Sequence, residues 1–210
     1  RPQELPSLIK QWHRRHPDDP ELVLDRTMPI LEDWLDSSIE FQKSFEETKI
    51  IKQWFPLMRT EAKASFTILE TDDPNAVKVA RAKRVDIVIV KNSRGQVQIF
   101  TRSVNRDGRA APLIDLRIVA QYVRAEEMIV RGIALWLPGL YLRTPEKIPE
   151  VPQWYYLKPG QMLLNGSDQA AQDVEPTKIR LEQIVKGVIA GARPGPGWTL
   201  GLPVPAENAK

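Results

Sequence analysis

Cysteine is absent from all 210 residues, which excludes disulfides, thiolate metal sites and a cysteine nucleophile. That absence suits a reducing cytoplasm, and the cytoplasm is the compartment expected. Histidine is scarce, with only His13 and His16. No apolar run approaches the roughly 18 residues that a membrane-spanning helix needs. The N-terminus lacks the apolar core of a signal peptide, because Trp12 to Arg15 is basic and amphipathic. No membrane partner is therefore expected. Charge of one sign is lacking too: 30 basic residues are interleaved with 27 acidic ones, for a net charge of +3. Such a balance creates no global field that would steer the chain to nucleic acid. Two further motifs are missing, a glycine-rich phosphate loop of the Walker or dinucleotide type and a serine in a Gly-x-Ser-x-Gly turn.

What is present suits a folded α/β protein. A hydrophobic fraction of 42% with six tryptophans can bury one sizeable core or two small ones. The chain opens on Arg1 rather than methionine, from which a piece of something longer is expected.

Leu5, Leu8, Ile9 and Trp12 fall at i, i+3, i+4 and i+7, the stripe of a short helix that must end before Pro17. Pro17 to Pro20 reads as a turn. A longer helix is expected from near Thr27, with Pro29 in its first turn, where a missing N–H costs nothing. Ile30, Leu31, Trp34, Leu35, Ser38, Phe41 and Phe45 form its expected buried stripe. Continuation through Ile50, Ile51 and Trp54 is open, and residues 1–58 as a whole read as helical.

The period then changes from 3.6 to 2. Ser65–Glu70 reads as a strand, and Asp72 or Asp73 as the cap of a helix from Pro74 to about Lys83. Val85–Val90 is a nearly unbroken apolar run, typical of a strand covered on both faces. The Asn92–Gly95 turn leads into a returning strand, Gln96–Thr101. A polar loop, 103–112, precedes a helix from Ile114 to Arg131, with Asp115 near its start and Gly132 as its stop. Residues 133–152 carry four prolines and read as a long loop. Trp154–Asn165 reads as a second hairpin around Lys158-Pro159-Gly160-Gln161, a type II turn sequence. A last helix spans Leu181–Ala190, stopped by Gly191, and the Pro/Gly-rich tail from Ala192 is expected to be disordered. The fold class is therefore α/β: a helical N-terminal segment (1–58), then a mixed β-sheet domain with packed helices (59–191), then a tail (192–210).

Candidate chemistry is sparse. His13 and His16 share a helix face, but no carboxylate cluster stands beside them, so they read as a solvated basic helix end. Asp86 could open a nuclease set of the Asp…Glu/Asp-x-Lys type, but the next strand carries Gln96 and Gln98 instead. Glu126-Glu127 lies on consecutive helix positions, which face apart, and reads as solvated. No catalytic residue and no metal ligand is assigned. Thr101-Arg102-Ser103 is the stronger candidate for binding. An arginine beside two hydroxyls at a strand end can grip a phosphate through paired charge-assisted bonds, with Arg106 and Arg109 following in the loop. The alternative is an exposed strand end with solvated arginines. Asn165-Gly166-Ser167 offers a backbone turn and small polar groups to a ligand, or is a simple turn.

In order and texture, residues 60–125 resemble the C-terminal part of a DHH-superfamily phosphoesterase. The resemblance rests on a helical connector (Phe41 to Trp54), Ser65–Glu70 and a helix, then Val-Asp-Ile-Val-Ile-Val and the turn at Gly95. Gln-Val-Gln-Ile-Phe-Thr-Arg-Ser and Ile-Asp-Leu-Arg-Ile-Val-Ala complete it. In that family the DHH-associated domain ends its hairpin strand on an arginine and a serine that touch substrate, which here implies Arg102 and Ser103. The family's Asp-His-His, its companion aspartates and its Gly-Gly-Gly-His segment are absent. The resemblance thus implies a substrate-binding portion without the two-metal centre, and no cofactor in this chain. Manganese or magnesium would belong to a complete enzyme. The partners implied are a nucleotide or short oligonucleotide ligand and a homodimer. The competing expectation is a non-catalytic α/β interaction or dimerisation domain.

Overall fold

A computed structural model describes residues 5–57, 63–106, 109–112, 114–134, 136–157, 161–166 and 174–192, with the backbone alone at 5, 103–106 and 109–112. The chain divides into two compact units, residues 1–48 and 49–210.

The first unit is two helices. Helix α1 (Leu5–Arg15) spans the expected segment, with Leu8, Ile9 and Trp12 half-buried. Helix α2 (Pro20–Glu47) begins a full two turns before the expected Thr27. Asp19 explains the early start: its Oδ1 accepts from Leu22 N at 3.0 Å, and Pro20 occupies the first turn, where it needs no donor. Pro29 therefore lies inside the helix. The expected buried stripe is also corrected, because Ile30, Trp34 and Leu35 are 39%, 49% and 54% exposed.

Helical structure does not run through residues 1–58. It ends at Thr48, whose backbone is extended, and Gln53–Pro56 forms strand β1. The strand gains a buried ring: Phe55 lies 5.8 Å from Phe66, centroid to centroid.

In the second unit, β2 (Lys63–Glu70), α3 (Ala76–Ala82) and β3 (Ile87–Lys91) form a parallel strand–helix–strand unit, and β4 (Val97–Thr101) returns antiparallel to β3. Neither expected aspartate caps α3. Asn75 holds that position, while Asp73 accepts from Asn75 N and Asp72 accepts from Ser93 N across the neighbouring turn. The loop expected at 103–112 contains a two-stranded ribbon, β5 (Ser103–Arg106) and β6 (Arg109–Pro112). Helix α4 (Leu116–Val130) follows, capped by Asp115. The loop expected at 133–152 holds a short helix α5 (Gly139–Leu142) and strand β7 (Glu146–Ile148). The second hairpin forms as expected from β8 (Val151–Leu157) and β9 (Met162–Leu164), while its turn residues 158–160 lie outside the described residues. Helix α6 (Leu181–Ala192) ends the description, and the tail beyond it lies outside.

Seven of the nine described strands make one mixed sheet in the order β1-β2-β3-β4-β9-β8-β7. Ile87, Ile89, Ile99, Leu163 and Trp154 belong to one core cluster together with Val119 and Val123 of α4 and Ile184 and Val188 of α6. Alternate residues Val88, Val90, Phe100 and Leu164 join Ala76 and Ala80 of α3 in a second cluster. Period 2 in the strands thus supplies both layers at once. Gly191 is not a helix stop. A Cβ there would stand 2.5 Å from Val119 Cγ2 and 3.0 Å from Asp115 O, so glycine is what lets α6 approach α4.

Candidate functional site

The register of the sheet sets Arg102 in a row with two residues distant in sequence. Phe66 pairs with Ile87 and Ile87 with Thr101, so Ser65, Asp86 and Arg102 stand abreast at one end of β2, β3 and β4. Arg102 N continues the ladder by donating to Asp86 O at 3.0 Å. The Asp86 carboxylate is nearly buried and fixed: Oδ2 accepts from Ser65 N at 2.8 Å and Ser65 Oγ at 2.9 Å. Its other oxygen, Oδ1, lies 2.6 Å from Arg102 Nε, while the arginine side chain stays 55% exposed. A buried carboxylate that engages Nε leaves the guanidinium plane steered rather than free.

Thr101 is placed differently. It is 2% exposed, its N donates to Gln161 O, and its hydroxyl reaches only Arg102 O at 3.4 Å. Successive strand residues point to opposite faces, so Thr101 and Arg102 do not share a surface. Ser103 opens β5 and Arg106 closes it; their side chains lie outside the described residues.

Asn165 and Gly166 sit at the far end of the same strand. Asn165 N donates to Val97 O, four residues from Thr101, a separation of roughly 13 Å at strand rise. Asn165 is fully buried. Its Nδ2 donates to Gln153 O and Glu175 O, and its Oδ1 accepts from Thr177 N, so the side chain is a tether for the segment after β9. Gly166 has φ +71° and lies against Gln96, whose Nε2 would be 2.3 Å from an added Cβ. Ser167 lies outside the described residues. The two halves of the sequence-level site are thus at opposite ends of β4.

The structure also buries two charges that the sequence reading left in solvent or passed over. Glu127, expected to be solvated, is fully buried. It accepts from Arg131 Nε (2.6 Å), Lys178 N (3.1 Å), Trp154 Nε1 (3.1 Å) and Thr177 Oγ1. Burial pulls against the Arg131 charge, yet bonds to Glu127 and Glu175 raise its pKa above the ordinary arginine value. Arg124, also fully buried, donates to the carbonyls of Leu142, Thr144, Glu146 and Trp154. Its Nε finds no partner, and desolvation lowers its pKa to about 10. The signal was present: Arg124 is i+4 from Ala120 and Glu127 is i+4 from Val123, so both fall on the apolar stripe of α4. A polar residue at a core position requires a partner inside.

His13 lies in α1 and His16 just beyond it, and among the described residues no group of three metal-ligating side chains converges. No described helix is long and apolar enough to cross a membrane. No protein-family model, no curated protein and no solved structure matches the chain. The site must therefore be read from its geometry.

Proposed function

We propose that the unit from residue 49 onward grips a phosphorylated or nucleotide-like ligand through Arg102, as the substrate-binding portion of a DHH-type phosphoesterase whose metal-binding residues lie outside this chain. The observation that carries the reading is the contact between Asp86 and Arg102 Nε. It orients the guanidinium from one edge, and more than half of the side chain remains open to a ligand. Ser65 holds Asp86 in turn through two bonds, so the orientation is inherited from the sheet itself. A guanidinium posed in advance loses less freedom when it closes on a phosphate. The hydrolytic step is assigned to no residue here, because the chain has neither the Asp-His-His motif nor more than two histidines.

The test is a thermal-shift comparison of the wild type with Arg102→Ala, using nucleoside monophosphates and short oligonucleotides. The proposal expects at least one of these to raise the wild-type Tm while the variant fails to respond. No shift in the wild type, or equal shifts in both, would remove Arg102 from the account.

A further inference from the structure

The first unit carries a feature that the ligand reading does not use. Leu24, Met28, Leu35 and Ile39 fall at i, i+4, i+11 and i+15 of α2, which places them on one stripe about 60° wide at 100° per residue. All four are exposed, at 57%, 42%, 54% and 44%. Trp34 is also open, about 80° beyond the Leu24 edge of the stripe. Single exposed apolar residues need no explanation, but a continuous row along one helix does.

Charge says what would cover it. Helix α2 contains eight carboxylates against two cations. Asp25, Glu32 and Asp36 border the stripe on the side away from Trp34, by the same helical geometry. Glu46 and Glu47 stand in the last turn, which itself holds no basic residue and where the helix dipole disfavours anions. The acidic character is therefore kept against a cost to the helix. Helix α1, which packs against α2 within the unit, has the complementary composition: it is amphipathic, carries His13, Arg14 and Arg15 in its last turn and contains no acidic residue. A second copy of α2 would instead set like charges against each other, which disfavours pairing.

We propose that the Leu24–Ile39 stripe is a docking surface for a basic amphipathic helix of a partner protein, with leucine-type side chains on the stripe and lysine or arginine against Asp25, Glu32 and Asp36. This is pairing of one amphipathic helix with another, in which spaced apolar anchors give affinity and flanking charge selects the partner.

The experiment uses the full chain and two labelled synthetic 18-residue probes, one with leucine on one face and lysine on the other, its counterpart with glutamate replacing lysine. Fluorescence anisotropy should show the leucine/lysine probe bound at least tenfold more tightly than the leucine/glutamate probe. Leu24→Ser/Leu35→Ser should weaken that binding tenfold or more. Glu32→Lys/Asp36→Lys, which leaves the apolar side chains in place, should reverse the preference between the probes. Circular dichroism checks that α2 persists, and if the serine variant loses helix the charge-reversal variant decides. Equal binding of the two probes, binding of neither, or a preference untouched by charge reversal would overturn the proposal. So would a wild-type chain that sediments as a dimer and becomes monomeric on Leu24→Ser/Leu35→Ser, since the stripe would then be covered by a second copy.

Discussion

At the scale of single residues, the second unit is held by a few buried polar groups whose loss cannot be absorbed. Glu127 joins α4 to Trp154 of β8 and to the Thr177–Lys178 segment, and it neutralises Arg131. Glu127→Ala leaves Arg131 paired with Glu175 alone and takes the buried acceptor from three further donors. A loss of about 3 kcal/mol is expected, the lower end for a buried pair broken from one side, and urea unfolding of the variant measures it. Asp115 is a gentler case. Burial pushes its carboxyl up, but the Arg117 guanidinium and backbone N–H outweigh that and hold its pKa below the ordinary value. A depressed folded-state pKa contributes stability that is present above the unfolded pKa of about 3.9 and is lost as pH falls through the folded value. The Tm gap between wild type and Asp115→Asn should therefore be clear at pH 7 and should close below about pH 4. A gap that persists unchanged into acid would show that the cap's charge contributes nothing.

At the scale of elements, the helix–helix layer depends on close approach. Gly191 of α6 meets Val119 and the Asp115 carbonyl at distances no Cβ tolerates. Gly191→Ala should cost about 1–3 kcal/mol as overpacking, read as a lower urea midpoint with an unchanged slope. Gly191 also shows how far the sequence could be read. Its position after an apolar helix looks like a stop, and only the partner helix reveals that the missing side chain is what matters. Strongly periodic elements were legible: β2, the β3–β4 pair, α4 and the β8–β9 hairpin lie where alternation and the 3.6 period put them. The start of α2 was legible too, because Asp19-Pro20 is a cap followed by a first-turn proline, but Pro29 competed with it as a start signal. The ribbon β5–β6 had a signal in Asp107-Gly108, a favoured hairpin dipeptide that polarity masked. β1 and β7 had none. They are edge strands of four and three residues whose pairing comes from the neighbouring strand rather than from their own pattern.

At the scale of the whole molecule, the sequence named Arg102 but not its partner, because Asp86 and Ser65 reach it only through sheet register. Periodicity says that a strand exists, and register depends on which strands become neighbours. The same limit explains why Asn165 and Gly166 were grouped with Arg102: both follow hairpin strands, yet antiparallel pairing puts them at opposite ends of β4. The two units also differ in what they offer. Residues 1–48 present an exposed acidic helix, whereas the sheet unit presents one oriented arginine.

The central claim is that Asp86 serves Arg102 by orientation, and one calorimetric titration tests it. A nucleoside monophosphate is titrated into the wild type, Arg102→Lys and Asp86→Asn at one ionic strength. Charge-assisted hydrogen bonds contribute about 1.5–3 kcal/mol each, so losing one pairing should weaken binding roughly tenfold to a hundredfold. Arg102→Lys should fall in that range, because an ammonium cannot reproduce a two-pronged contact. Asp86→Asn is the sharper arm. If net charge alone attracted the ligand, removing a carboxylate beside the arginine would tighten binding. The account predicts the opposite, a several-fold loss, because the guanidinium is no longer posed. Tighter binding by Asp86→Asn, or equal affinity across all three proteins, would contradict it.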